Sequence, residues 1–370
     1  MVSRVVLRRM LGAVGKASSG SGAVSSARSF AVRCTAGRPL LLSTALGTGI
    51  LVGAAGLTLG STQALASCSG SFNGALALCG GVDAGISGTV TADQVIVFGN
   101  QEVTTNGVAI GDGGLGYDIS LAVDTFGGLL PAKPIVNSAF GPGVLLLSGG
   151  GDLILGTVPG ATISGTTYGV DMETSGAGTV TMTIGDDVYG ANSDGLYAVT
   201  DSGNISITTD TGTDVSTGNP SGAYGIRANS TSGNIGITTN GTVSDGGIGA
   251  FTGGSGAVIV TTNDDVSTTA GSAAINVGGV DGLVRVTANG NVDGSSNGIS
   301  ATSTGTGNVE VTAGASTVIS GLSGAGIRAT GTDGTVTVTA NGTSITGTTD
   351  GIDAENMNGN IAVDVNSGTV

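Results

Sequence analysis

The sequence predicts an all-β protein, a right-handed parallel β-helix (solenoid) built from coils of about 25 residues with three strands each. Three observations predict this fold. A short aliphatic block recurs at nearly constant spacing, valine, isoleucine and threonine outnumber helix-favouring residues in the body of the chain, and glycine provides 72 of the 370 residues. Because 39% of the residues are hydrophobic, the glycines mark turns between buried strands rather than a disordered linker.

The first 66 residues form a separate segment with the pattern of an extended signal peptide. Seven of the eleven lysines and arginines precede an uncharged run over residues 39–59, and the chain has no acidic residue before Asp83. Small residues then lead to Ala66. This order predicts export and cleavage between Ala66 and Ser67. An uncleaved membrane anchor, a bacterial lipid-attachment motif ending at Cys68 and a mitochondrial transit peptide are the alternatives.

Two cysteines remain after the expected cleavage. Cys34 lies in the removed segment, so Cys68 and Cys79 are an even pair in an oxidising compartment and are predicted to form a short disulfide. If Cys68 carried a lipid instead, Cys79 would be a lone thiol, which exported proteins tend to avoid. Residues 67–168 are less regular and are predicted to form an N-terminal cap followed by divergent coils, with strand-like runs at 94–98 and 144–147.

The regular repeat occupies residues 169–370. Its main block has the form G-x-[VI]-x-[VIM]-T, and the eight copies begin at Gly178, Gly203, Gly233, Gly256, Gly282, Gly307, Gly334 and Gly359. A second aliphatic block lies about nine residues before each copy, and a third aliphatic position follows each copy but the last. Apolar and polar residues alternate, so each block is predicted to be a strand with one buried face. Hairpins would not require the same side chain in every period, whereas stacked parallel coils do.

This repeat makes two predictions about individual positions. Inward residues of successive coils stack about 4.8 Å apart to form aliphatic ladders. Val311 is therefore predicted to lie between Val286 and Val338, while Glu310 faces water. The glycines at strand boundaries are predicted to supply turn conformations with φ > 0.

The composition argues against catalysis and against nucleic acid as a partner. After cleavage, four basic residues would face 26 acidic ones, a net charge of −22, which repels nucleic acid and anionic lipid. The chain has no histidine, so the usual general base, triad and imidazole ligands are missing. A β-helix enzyme that cleaves acidic polysaccharide needs basic residues close to its carboxylates. Arg227 and Arg328 occupy the same motif position four coils apart, a distance of about 19 Å, so they cannot bind one substrate together. We therefore predict no enzymatic activity and no cofactor.

Stacked aspartates are a candidate calcium site. Asp187 and Asp214 occupy equivalent places in successive coils, and Ca²⁺ would relieve the repulsion between their carboxylates, although aspartate is common in turns without a metal. The segment over residues 113–118 matches the start of a calcium-binding nonapeptide repeat. That fold needs tandem copies, so the single copy is predicted to be a glycine turn.

The basic presequence, the signal peptide and the Gly/Thr/Asn-rich coils together resemble the passenger region of bacterial autotransporters, the type V secretion proteins that include pertactin-like adhesins. The resemblance covers 1–370 as an architecture and carries over no functional residue. It implies an exported protein at the cell surface, the outer membrane or outside the cell, acting as an adhesive or structural stalk. Its expected partners are glycans on host or neighbouring cells, or another copy of itself.

Two alternatives and one departure accompany this resemblance. A β-helix polysaccharide lyase or hydrolase and a lipid-anchored surface β-helix fit the same coils. The family ends in an outer-membrane β-barrel, whereas this chain stops at Val370 inside a coil, so the resemblance implies a fragment or a truncated gene.

Overall fold

The computed structural model describes residues 30–33, 39–42, 70–72, 76–83, 85–103, 106–124, 135–342 and 344–370, and these residues contain strands and turns but no helix. The early strands are β1 (Phe30–Arg33), β2 (Pro39–Leu42), β3 (Gly70–Phe72), β4 (Leu76–Asp83), β5 (Ile86–Val90), β6 (Gln94–Val103), β7 (Val108–Gly111), β8 (Ile119–Asp124), β9 (Ile135–Ser138), β10 (Val144–Ser148), β11 (Leu153–Thr157) and β12 (Thr162–Gly165). The later strands are β13 (Val170–Thr174), β14 (Val180–Ile184), β15 (Val188–Gly190), β16 (Leu196–Thr200), β17 (Ile205–Thr209), β18 (Asp214–Thr217), β19 (Ile226–Ser230), β20 (Ile235–Thr239), β21 (Thr242–Ser244), β22 (Ile248–Thr252), β23 (Val258–Thr262), β24 (Val266–Ser267), β25 (Ile275–Gly279), β26 (Val284–Ala288), β27 (Val292–Gly294), β28 (Ile299–Ser303), β29 (Val309–Ala313), β30 (Val318–Gly321), β31 (Ile327–Gly331), β32 (Val336–Ala340), β33 (Ser344–Gly347), β34 (Ile352–Asn356) and β35 (Ile361–Val365).

The strands from β3 onward form one parallel β-solenoid of about ten turns, with roughly 26 residues in each turn. Each regular coil gives one strand to each of three stacks. The first stack is a 12-stranded sheet that contains β3, β5, β7, β10 and then every third strand. The second stack (β4, β6, β8, β11 and every third strand) and the third (β9, β12 and every third strand) are joined in a 21-stranded sheet. The predicted all-β parallel β-helix is confirmed, while β1 and β2 form a separate antiparallel pair.

The predicted three-strand coil extends further toward the N-terminus than the regular sequence repeat. β10 pairs in parallel with β13, so the stacking passes without a break across residue 169. β6, which includes the strand-like run at 94–98, pairs with both β8 and β9 and therefore continues around a corner of the coil. We call the outward surfaces of the three stacks the first, second and third faces.

Aliphatic ladders fill the interior, as the repeat predicted. Both inward positions of the main block are buried in the seven copies that begin at Gly178 through Gly334. Val311 pairs with Val286 on one side and Val338 on the other, and it is 1% exposed. Burial of a side chain of this size stabilises the fold by about 1.5 to 3 kcal/mol.

The neighbour of this ladder position lies outside, also as predicted. Glu310 sits on the second face and forms an ion pair with Arg285 of the preceding coil, with 2.7 Å between the guanidinium nitrogen and the carboxylate oxygen. Both side chains are partly exposed, so solvent screens the pair and its contribution to stability is small.

The glycine that opens each main block lies where no side chain fits. A Cβ built on Gly203 would lie 2.6 Å from the carbonyl carbon of Gly178 in the preceding coil, and closer still to the carbonyl oxygen. A Cβ on Gly233 would lie 2.5 Å from the carbonyl carbon of Gly203. None of the eight block-opening glycines has a positive φ. For these eight glycines the prediction of φ > 0 is wrong, because the close approach of successive turns requires them instead. Gly107 and Gly247, which lie immediately before β7 and β22, do have positive φ.

Buried hydroxyls hold these glycine turns from the inside. Thr200 Oγ1 accepts a hydrogen bond from the N–H of Gly203 at 3.1 Å and donates to the carbonyl oxygen of Gly178 at 2.8 Å. Ser230 makes the same two contacts one coil further on, at 2.8 Å to the N–H of Gly233 and 3.3 Å to the carbonyl of Gly203. These hydroxyls satisfy backbone groups that burial removes from water, so they fix the shape of the turn.

Asparagine side chains connect the coils outside the core. Asn263 Nδ2 donates to Asn240 Oδ1, and Asn263 Oδ1 accepts from Asn289 Nδ2, both at 2.8 Å. At another turn, Asn204 Oδ1 accepts a hydrogen bond from the N–H of Asn234 at 2.9 Å. The frequent asparagines between strands therefore link each coil to the next.

Candidate functional site

The first face concentrates aromatic and charged side chains. In its strands the first, third and fifth residues point inward and the second and fourth point outward. Strand register places the second residues of five successive strands in one line, in the order Asp171, Tyr197, Arg227, Gly249 and Asn276. Because neighbouring strands are about 4.8 Å apart, the line is about 19 Å long.

An aromatic strip, defined as Tyr168, Tyr197, Arg227, Tyr224 and Phe251, follows this line. The rings of Tyr168 and Tyr197 stack with centroids 5.0 Å apart and planes inclined by 23°. The guanidinium carbon of Arg227 lies 5.8 Å from the centroid of Tyr197 and 6.0 Å from that of Tyr224, so one cation contacts two rings. Tyr224 and Phe251 meet edge to face at 6.5 Å.

Tyr224 is positioned by a long turn, residues 218–225, between β18 and β19. Its N–H donates to a buried carboxylate oxygen of Asp194 at 2.6 Å. Its ring lies against Gly249, where a Cβ would come within 2.9 Å of the ring carbons. Its hydroxyl accepts a hydrogen bond from Asn276 Nδ2 at 3.1 Å. A glycine on β22 thus leaves the space in which this tyrosine lies on the sheet.

Carboxyl groups surround the Tyr168 end of the strip. Asp171 is 7% exposed, and no N–H or hydroxyl donor of the described residues reaches its Oδ1 atom. Burial raises the pKa of Asp171 to about 7, helped by charge repulsion from Glu173 and Asp194 and by a hydrogen bond with Glu173. Burial also raises the pKa of Asp194, although the N–H of Tyr224 and the charge of Arg227 oppose it. Near neutral pH, Asp171 therefore exchanges between a hydrogen-bond donor and an acceptor.

A shallow groove of about 400 Å³ runs beside the strip. Val199, Asn229 and Phe251 line it from three successive strands, and Asp201 and Thr231 line it from the turns that follow. Phe251 belongs to the strip and to the groove, so the two form one continuous surface. This surface offers ring faces, amides, hydroxyls and carboxylates along the outside of a rod, an arrangement that suits an extended ligand better than an enclosed one.

The second face carries a row of threonines. Its members are the final threonines of the main blocks, and strand register aligns them on seven successive strands: Thr183, Thr208, Thr238, Thr261, Thr287, Thr312 and Thr339. All seven are half-buried. The row therefore presents hydroxyl and methyl groups at a constant spacing of about 4.8 Å.

The predicted calcium candidates lie at the edge of the third face. The N–H of Asp214 donates to a carboxylate oxygen of Asp187 at 2.8 Å, and Asp214 accepts hydrogen bonds from the hydroxyls of Thr242 and Ser244, both at 2.9 Å. Protein donors thus supply the stabilisation that the prediction assigned to Ca²⁺. Among the described residues, no three or more Cys, Asp or Glu side chains lie close enough together to hold a metal ion. The calcium site stays a prediction.

The glycine-rich segment over residues 113–118 is a turn, as predicted, and the structure adds that it surrounds the buried Asp112. The N–H groups of Gly114, Gly116 and Tyr117 donate to the carboxylate of Asp112 at 2.8, 2.6 and 2.8 Å. Burial alone would raise the pKa of Asp112, but hydrogen bonds, of which that from Gly114 is the strongest, outweigh burial and lower the pKa. The glycines of this turn do have positive φ.

The predicted export features lie outside the described residues. These comprise cleavage between Ala66 and Ser67 and the disulfide between Cys68 and Cys79, of which the structure describes only the backbone of Cys79 in β4. In the part of the chain that the structure describes, no helix is long and apolar enough to cross a membrane.

The sequence analysis did not predict the aromatic strip, although the sequence contains two signals of it. The sequence predicted that Arg227 and Arg328 share a motif position four coils apart, and strand register confirms this. The same position holds Tyr197 one coil earlier, which is the first signal. The second is the unusually long interval of 30 residues between Gly203 and Gly233, which supplies the turn that carries Tyr224.

Comparisons of this chain with protein-family models, with curated proteins and with solved structures find no match. The class of fold rests on the structure itself, which is a parallel β-solenoid consistent with a pertactin-like β-helix.

Proposed function

We propose that this chain is an exported surface protein, the passenger portion of an autotransporter, that acts as an adhesive or structural stalk and catalyses no reaction. The sequence supports export through the basic segment, the uncharged run and the small residues before Ser67. The solenoid supports a stalk, because a rod of stacked coils extends with each added repeat and needs no larger core.

The observation that carries the adhesive role is the threonine row of the second face. Each hydroxyl contributes only about 1 kcal/mol net to a hydrogen bond, so a single threonine binds nothing measurable. A row in constant register meets a partner with its own repeat at many points at once, which raises the avidity. A glycan on another cell has such a repeat, and so does a second copy of this rod.

A β-helix polysaccharide hydrolase or lyase is the alternative, and Asp171 with Glu173 is the pair that would serve it. A hydrolase uses one carboxyl group with a raised pKa beside a second carboxylate. Asp171 is almost fully buried between Leu145 and Tyr197 in strand register, however, and it lies on a sheet face rather than in a cleft. A substrate bond has no evident path to this carboxyl group, which favours the non-catalytic proposal.

Beads that carry the purified chain test the adhesive role. We expect them to aggregate or to bind bacterial and host cells, and we expect the triple variant Thr208→Lys, Thr261→Lys, Thr312→Lys to lose most of this activity. Three lysines along one row place like charges on the contact surface. The matched control, Ser300→Lys, Thr302→Lys, Thr330→Lys, changes outward residues of the first face and should keep it. Equal loss in both variants would contradict the role of the row.

The absence of catalysis has its own assay. The purified chain, with Ca²⁺ added, should release neither unsaturated oligosaccharides from polygalacturonate nor reducing ends from neutral polysaccharides. Release that disappears in Asp171→Asn would replace the adhesive proposal with the enzymatic alternative.

A further inference from the structure

We propose that the aromatic strip and its groove bind a single chain of an uncharged polysaccharide along the axis of the rod. This inference rests on the adhesive function proposed above and assigns it a local site and a ligand class. The threonine row would supply avidity on the second face, and the strip would supply specificity on the first face.

The size and shape of the surface favour a polymer of several sugar units. The line from Asp171 to Asn276 extends about 19 Å across five strands, and the groove runs beside it. Tyrosine combines an apolar ring with a polar hydroxyl, which suits a ligand that has both apolar faces and hydroxyl edges. Sugar rings have this character, and Asn229, Thr231 and Asp201 in the groove provide partners for their hydroxyls.

The charges of the surface exclude ionic ligands of both signs. Arg227 already lies against Tyr197 and Tyr224, so a cationic ligand would meet a guanidinium where it would otherwise contact the rings. An anionic ligand would meet Glu173 beside Tyr197 and Asp201 in the groove. A neutral ligand meets neither penalty.

The test is affinity electrophoresis and tyrosine fluorescence of the full chain with soluble neutral polysaccharides (hydroxyethylcellulose, xyloglucan, galactomannan and dextran), with polygalacturonate as the anionic probe. The chain has no tryptophan, and three of its five tyrosines belong to the strip, so tyrosine emission should respond to contact with the strip. We expect at least one neutral polymer to bind and polygalacturonate not to bind. Tyr197→Ala and Tyr224→Ala should each weaken binding about tenfold or more, the usual consequence of removing an aromatic anchor.

Two controls separate binding from folding. Tyr189→Ala removes a tyrosine of the third face that is 42% exposed, more than the half-buried Tyr197 and Tyr224, and should leave the affinity unchanged. Tyr197→Phe keeps the ring and should retain most of the affinity. Unfolding midpoints for each variant show whether a loss of binding reflects a loss of structure.

Three binding results would overturn the site, and one result on the oligomeric state would do so as well. These are no binding to any neutral polymer, binding that survives Tyr197→Ala and Tyr224→Ala together, and binding to polygalacturonate alone. A concentration-dependent dimer that Tyr224→Ala abolishes would also overturn it, by assigning the strip to a second copy of the chain. Beads that carry the double alanine variant distinguish the two proposals: if they still aggregate while the neutral polymers fail to bind wild type, the adhesive function stands and the strip proposal falls.

Discussion

The stacked glycines allow a sharp test of the fold, because two glycines near one another in the chain occupy opposite environments. Gly203→Ala places a methyl group 2.6 Å from the carbonyl carbon of Gly178, against backbone that cannot rotate away. Relief requires two coils to separate at that corner. Overpacking of this kind costs about 1 to 3 kcal/mol in a core, and we expect the upper end, about 3 kcal/mol, because the obstacle is backbone.

Gly236→Ala is the matched control. This glycine points outward from β20, its φ is not positive, and the nearest atom to a built Cβ is 3.9 Å away. The extra methyl group restricts the unfolded chain, so the expected change is a gain of about 0.4 to 1 kcal/mol. The two substitutions are chemically identical and should shift stability in opposite directions.

Denaturant unfolding followed by far-UV circular dichroism measures the difference, and hydrogen exchange locates it. In Gly203→Ala the amides of β14, β17 and β20 should exchange faster, whereas those of β29 and β32 should not, because each coil contacts only its neighbours. Equal unfolding midpoints for the two variants would refute the close approach of the turns as the reason for the repeat's glycine.

Three other predictions follow from single positions. Val311→Asp should cost about 3 to 5 kcal/mol by burying an unpaired charge in the ladder, against less than about 1 kcal/mol for Glu310→Ala, and equal shifts in thermal unfolding would reject the register. The pKa of Asp112 is lower in the folded chain than its ordinary value of 3.8, so the ionised carboxylate stabilises the folded state fully above about pH 4 and loses this effect as the pH falls further. Asp112→Asn should therefore be less stable than wild type at neutral pH, and it should lose less stability on acidification. The pKa of Asp171 is raised to about 7, so the folded state holds this proton more tightly than the unfolded state does, and wild type should lose stability as the pH rises from about 4 to 7. Urea unfolding curves measured across that range should show this loss in wild type and not in Asp171→Asn.

The fold could be predicted from the sequence because every coil of the solenoid repeats the same pattern of inward and outward residues. Every main block has the same two inward positions, so the pattern at Val180 and Met182 predicts burial at Val336 and Val338. The role of the opening glycine could not be predicted in the same way. Its spacing marks a turn, but whether a turn needs positive φ or a missing Cβ depends on how near the preceding coil passes, and Gly203 shows that the distance between coils decides it.

The candidate site was less predictable than the fold because it is an exception to the repeat. Alternation placed Tyr197 and Arg227 on one outward line, and this much was accessible from the sequence. Tyr224 reaches the same line from a turn. The buried Asp194 accepts a hydrogen bond from its N–H, and Gly249, two strands from Tyr197, leaves space for its ring. Contacts of this kind depend on the path of an insertion, for which the periodicity of the strands gives no information.

The direction of the hydrogen bonds between coils has a mechanical consequence. They run along the long axis of the rod, so a pull on its two ends opens them one turn at a time instead of shearing many together. Each released turn of roughly 26 residues adds about 85 to 95 Å of extended chain. If the chain is the surface stalk proposed above, it would lengthen in discrete steps under load and dissipate force at each step, which would protect a weak attachment at its tip from sudden flow.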